Sequence, residues 1–259
     1  MLDTLHMALG ILSGGLVGFS LGLVGGGGSI LAVPLMVYLV GVSSPHVAIG
    51  TSALAVAANA ALGLFNHARQ GTVKWRLGLI YAAAGIAGAF AGSTAGKAFD
   101  GQRLLFLFAI VMIVVGVVML RRRNQTGVEG THFNRQNAPK VLGYGLGTGA
   151  FSGFFGIGGG FLIVPGLIAS TSMPMINAVG TSLVAVTAFG LTTAVNYAFS
   201  GLVDWLLAGL FIAGGVIGSL AGTRAAKHLS ASGQLTKVFA GLIFVVAAYM
   251  LWKSGAEAF

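Results

Sequence analysis

Two glycine-rich breaks inside apolar stretches constrain this chain more than any other feature. The first is "GLVGGGGSILAVP", Gly22–Pro34, and the second is "GFFGIGGGFLIVP", Gly153–Pro165. A glycine in a helix interior costs about 1 kcal/mol relative to alanine. Four in a row, Gly25 to Gly28, therefore end a helix that its apolar neighbours would otherwise continue. Inside a bilayer, backbone outside a regular helix is tolerated only where protein or a cavity covers it. The breaks predict a chain that turns back within the membrane around a protected site.

Composition makes the membrane the solvent. Of 259 residues, 56% are hydrophobic and only 7% charged, with a mean hydropathy of +0.93. Soluble domains do not have so little charge. Cysteine is absent, which excludes disulfides and thiolate metal sites. The net charge of +9 does not mark a nucleic-acid partner, because the basic residues fall in a few short loops, as membrane topology requires. The opening residues "MLDTLHMALG" lack a basic n-region and carry Asp3, so the first apolar segment is expected to be retained. Charge and turn signals bound ten helical segments, at 5–24, 28–41, 46–66, 76–96, 103–120, 140–156, 159–171, 176–198, 204–223 and 236–252. The fold class is an all-α integral membrane protein, a polytopic bundle. Segments 28–41 and 159–171 are short for a span of about 20 residues and read as half-helices.

The chain repeats itself. At an offset of 130 or 131, Gly18, Gly22, Gly25 and Pro34 match Gly149, Gly153, Gly156 and Pro165. Gly50-Thr51-Ser52 matches Gly180-Thr181-Ser182, Asn66 matches Asn196, and Trp75 matches Trp205. Gly85, Gly88, Gly92 and Lys97 match Gly215, Gly218, Gly222 and Lys227. The expected organisation is a first repeat at 1–122, a flexible cytoplasmic linker at 123–139 and a second repeat at 140–259, each with five segments. Loop charge relates the copies. His67, Arg69, Lys74 and Arg76 in one loop face a counterpart holding only Asp204, while Arg224, Lys227, His228 and Lys237 match a mixed loop at 97–103. The positive-inside rule then puts 67–76, 121–140 and 224–237 in the cytoplasm and 97–103, 199–204 and both termini outside. An odd number of segments inverts the second copy, the architecture of secondary transporters.

In an inverted pair, each glycine break is expected near mid-membrane, one from each face. The short helices starting at Ser29 and Gly160 would then aim their N-termini at a common centre. A helix N-terminus offers unpaired N–H groups and about half a positive charge, and glycine lets a ligand approach without a Cβ in the way. The expected ligand is a small oxyanion. Candidate substrate-binding residues are Gly25, Gly26, Gly27, Gly28 and Ser29, with Gly156, Gly158, Gly159 and Gly160 from the second break. The hydroxyls of Thr51, Ser52, Thr181 and Ser182 and the amide of Asn59 are candidate donors; bonds back to their own helix are the competing fate. Glycines at four-residue spacing (Gly10, Gly14, Gly18, Gly22; Gly88, Gly92, Gly96; Gly214, Gly218, Gly222) read instead as close helix packing.

Other chemistry is thin. All five acids, Asp3, Asp100, Glu129, Asp204 and Glu257, fall in loops or tails, which argues against a buried carboxylate relay. His46 and His67 end segments and are expected to be solvated, and Lys97 and Lys227 to snorkel to the interface. "GFSLG" at Gly18–Gly22 fits a hydrolase pattern but lies in an apolar helix without an acid. Ser152 has no histidine placed for it, and "GLGTGAFSG" follows no strand. No catalytic residue, metal site or cofactor is expected. A monovalent anion leaving a negative interior gains about 2.3 kcal/mol per 100 mV, so export can run on the membrane potential.

"GLVGGGGSILAVP" with "IGTS", and "GFFGIGGGFLIVP" with "VGTS", resemble the TauE/SafE family of sulfite exporters over residues 10–250. The resemblance implies a multi-pass transporter of a bacterial or archaeal cytoplasmic membrane that moves sulfite, or organic sulfur anions such as sulfonates, outward. It points to the glycine turns and Thr-Ser pairs as family-typical elements. Gly26 corresponds to Ile157 and Ser29 to Gly160, so strict symmetry of the ligand site is not expected. Expected partners are the lipid bilayer and the oxyanion, with a homo-oligomer allowed. A passive small-anion channel is the alternative, although no ring of charges marks a pore.

Overall fold

The computed structural model describes the backbone of residues 4–121, 134–156, 160–229 and 235–258. All regular structure among them is helical. Ten α-helices follow in order: α1 (Thr4–Val24), α2 (Ala32–Pro34), α3 (Pro45–Arg69), α4 (Trp75–Ala98), α5 (Gly101–Arg121), α6 (Ala138–Phe155), α7 (Gly160–Thr171), α8 (Met175–Ala198), α9 (Trp205–Leu229) and α10 (Leu235–Ala258). Six of them, α1, α3, α4, α5, α8 and α9, are long and apolar enough to cross a membrane.

The first glycine run does break the helix. Gly25–Leu31 winds as a 3₁₀ helix, α2 is a single turn, and Leu35–Leu39 widens into a π-helix. The segment expected as one half-helix is thus a returning arm (25–39) of three helical pitches. Gly28 lies against the backbone of Ser20 and Leu21. Along an unbroken helix, residues seven apart are about 10 Å apart, so this contact shows the chain folded back on α1. In the second copy Gly156 takes the left-handed conformation at φ 67° and closes α6, a geometry that glycine adopts without a Cβ penalty. α7 then returns past α6, with Gly166 beside Thr148 and Tyr144. Pro165 sits inside α7, which stays helical.

Glycine contacts fix how the helices run. Gly14 and Gly18 on α1 lie against Phe211 and Gly215 on α9, while Gly88, Gly92 and Gly96 on α4 meet Leu146, Ala150 and Phe154 on α6. Both pairs are parallel, and both are packed backbone to backbone, as the four-residue glycine spacing predicts. α3 runs antiparallel to α8, with Gly50 near Tyr197 and Gly63 near Leu183. Pairing α1 with α9 and α4 with α6 is one contact written twice if the copies exchange, and α3·α8 and α5·α10 map onto themselves. In each matched pair, α1/α6, α3/α8 and α4/α9, the two members run in opposite directions. The arrangement is consistent with the inverted repeat read from the sequence. Of the linker expected at 123–139, residues 123–133 lie outside the described residues, and Ala138 and Pro139 already belong to α6.

Candidate functional site

The two returning arms meet: α7 packs against the 3₁₀ stretch of the first arm, inside a cage of paired helices. Their N-termini do not meet. Gly156 lies against Ile49, in the second turn of α3, so this turn sits toward the end of the bundle where α3 begins. The other turn sits toward the opposite end, because Phe19, five residues before Val24, already reaches Gly222 in the last third of α9. The two glycine turns therefore lie toward opposite ends of the bundle. α1 has 21 residues and α6 has 18, about 31 and 27 Å.

The candidate residues divide by what they touch. Gly25, Gly26 and Gly27 form the first turn, and Gly28 is the contact point on α1. Ser29 is fully buried where the arm passes the cage. Gly156 caps α6 and Gly160 opens α7; Gly158 and Gly159 lie outside the described residues. The GTS threonines tie the copies together. The Asp204 N–H donates to Thr51 Oγ1 at 2.9 Å, and the Lys74 N–H donates to Thr181 Oγ1 at 2.9 Å. Each threonine thus holds the start of α9 or α4 in the other copy. Gly50 and Gly180 leave room for that approach, lying against Leu202 and Thr72. Ser52 and Ser182 bond back to the Ile49 and Val179 carbonyls at 3.0 and 2.7 Å.

Asn59 differs from all of these. It sits near the middle of α3, is 1% exposed, and neither its Nδ2 nor its Oδ1 has a hydrogen-bond partner. Its amide presses against Gly215 on α9, where a Cβ would collide with it. The matching residue of the second copy is Phe189, which fills the equivalent space at Gly85 and stacks on Tyr81. A buried polar group left without a partner costs about 1–3 kcal/mol. The amide is thus an unsatisfied donor and acceptor pair held inside the bundle.

Further buried hydroxyls without partners are Ser13 on α1, Ser152 on α6, and Thr193 and Tyr197 on α8. Sequence reading passed over Ser13, Thr193 and Tyr197; Ser13 adjoins a glycine stripe, the only signal that could have flagged it. His67 is buried rather than solvated. Its Nδ1 lies 2.9 Å from Thr72 Oγ1, which donates to the His67 carbonyl at 3.1 Å. Lys97 is half-buried and docks on the C-terminus of α8, donating to Asn196 Oδ1 at 2.9 Å, the Asn196 carbonyl at 3.1 Å and Ser200 Oγ at 2.8 Å. A cation there meets the negative end of the helix dipole.

Comparison with known proteins adds what geometry alone does not. The family described as "Sulfite exporter TauE/SafE" matches residues 10–250. A "Probable membrane transporter protein" of Xylella fastidiosa (strain 9a5c) is 54% identical over 247 residues, 95% of each chain. "Probable membrane transporter protein YdhB" of Bacillus subtilis is 25% identical, covering 89% of this chain and 96% of its own. "Probable membrane transporter protein YunE" of the same organism is 29% identical, covering 80% and 84%. No solved structure matches the chain.

Proposed function

The chain belongs to the sulfite exporter TauE/SafE family, and from that premise we propose that it is a secondary transporter exporting sulfite or sulfur-containing organic anions across the cytoplasmic membrane of a prokaryote. The observation that carries the reading is the Asn59 amide, buried at the middle of a membrane-crossing helix with both polar atoms unpartnered. Polar side chains in the apolar core of a membrane face a bundle interior and mark substrate pathways. No acid lies in the apolar part of a segment, so the cargo's negative charge meets hydrogen-bond donors without a repelling carboxylate.

The basic loops put the α3–α4 turn and the linker in the cytoplasm and both termini outside. The cargo site lies between the two copies, at the contact of α3 with α9 where Asn59 meets Gly215. The Thr51 and Thr181 bonds hold each copy's α4 or α9 against the other copy's long helix, so movement of one half is carried to the other. Ser29, the glycine turns and the Thr-Ser pairs frame the route.

Asn59→Leu tests the assignment. Leucine has similar bulk and no unpaired polar group, so the purified variant keeps its fold and unfolds at a temperature equal to or above the wild type. Stabilisation of the protein by added sulfite is lost. A variant that responds to sulfite as the wild type does contradicts the assignment.

A further inference from the structure

The Asn59 amide is unpaired on both sides, and that says more than that a cargo oxygen binds there. Nδ2 can only donate and Oδ1 can only accept, and neither has a partner. Exchanging the two atoms by rotating the amide changes nothing, because both ends are orphaned. A fully ionised oxyanion such as sulfate or the sulfite dianion carries acceptors alone. It would satisfy Nδ2 and leave Oδ1 buried, facing its negative oxygens. An oxyanion that retains an O–H offers both a donor and an acceptor.

Resting on the transport reading above, we propose that Asn59 selects a protonated monoanion, hydrogen sulfite or another S–O anion bearing an acidic O–H, over its fully ionised form. One charge is then carried rather than two, which lowers the cost of entering a low-dielectric interior. The proton travels on the anion, so each turnover carries one without a titratable side chain in the path. The second copy lacks the device, since Phe189 occupies the matching position. Among the described residues this unpartnered amide is therefore found in one copy, although the frame is duplicated.

The titratable or charged residues on elements packed against α3 are His6 on α1, Tyr38 on the first arm, Arg103 and Arg121 on α5, Tyr197 on α8 and Arg224, Lys227 and His228 on α9. α3 itself carries His46, His67 and Arg69 near its ends. Among the described residues none of these is hydrogen-bonded to Asn59. In this structure Gly215 covers the amide, so the anion reaches it when α3 and α9 part.

The test is thermal stabilisation of the purified full-length protein by sodium sulfite, methanesulfonate and sulfate, each measured across pH against an anion-free control. Methanesulfonate is a monoanion without an O–H, and sulfate is a dianion. The expected result is stabilisation by sulfite that grows as pH falls through the ionisation of hydrogen sulfite itself. Methanesulfonate and sulfate bind at least about tenfold more weakly. Asn59→Leu, folded by its unfolding temperature, loses the pH dependence. Methanesulfonate matching sulfite, or a sulfite response flat in pH, overturns the proposal and leaves the transport reading standing. Absence of any anion response at any pH overturns both.

Discussion

Thr51 and Thr181 accept backbone N–H groups from the opposite copy at the same distance, 2.9 Å, so the two bonds should contribute equally. Thr51→Val and Thr181→Val keep the side-chain shape and remove the acceptor. Each should lower stability by about 0.5–2 kcal/mol, the range for a lost helix-start partner. Ser52→Ala should leave the unfolding temperature near the wild type, because that hydroxyl only returns to its own helix. Comparison of the three unfolding temperatures checks this; a larger loss for Ser52→Ala would contradict it. The threonines were legible in the sequence as paired and buried, yet not in their role. Their partners are 153 and 107 residues away, and no local pattern announces a contact across that separation. Asn59 was legible as a polar residue in an apolar segment. That nothing pairs with it is visible only once Gly215 is seen against it.

At the scale of the element, glycine does two separable jobs. Gly88 and Gly92 bring α4 onto the backbone of α6, where any Cβ would strike Leu146 or Ala150. Gly143 and Gly147, on another face of α6, have nothing within 4 Å of an added Cβ. Alanine at Gly88 or Gly92 should therefore destabilise by about 1–3 kcal/mol through overpacking. Alanine at Gly143 or Gly147 should be neutral or stabilise by up to about 1 kcal/mol through helix propensity. Denaturant or thermal unfolding in detergent separates the two classes, and equal effects would contradict the packing described. The four-residue stripes and both helix breaks could be read before any coordinates. The changes of pitch along 25–39 had no clear sequence signal beyond the glycines and Pro34.

For the whole molecule, the helix contacts are consistent with the duplication read from the sequence. Parallel contacts of α1 with α9 and of α4 with α6, and the antiparallel contact of α3 with α8, build one bundle from two matched halves in which each half completes the other. The offset of 130 or 131 residues was enough to anticipate this pairing, since matched residues such as Gly18 and Gly149 make matched contacts, with Gly215 and Gly85. What the repeat could not supply is the place where symmetry fails, Asn59 against Phe189. The proposed transport reading rests on that place, where one copy carries a polar side chain and the other an aromatic one. Counterflow in vesicles reconstituted with purified protein tests the account most directly. Labelled sulfite outside should accumulate when unlabelled sulfite is loaded inside, and Asn59→Leu vesicles should show none of that stimulation. Labelled flux indifferent to internal sulfite would mark a channel, and undiminished exchange by Asn59→Leu would remove the residue on which the account rests.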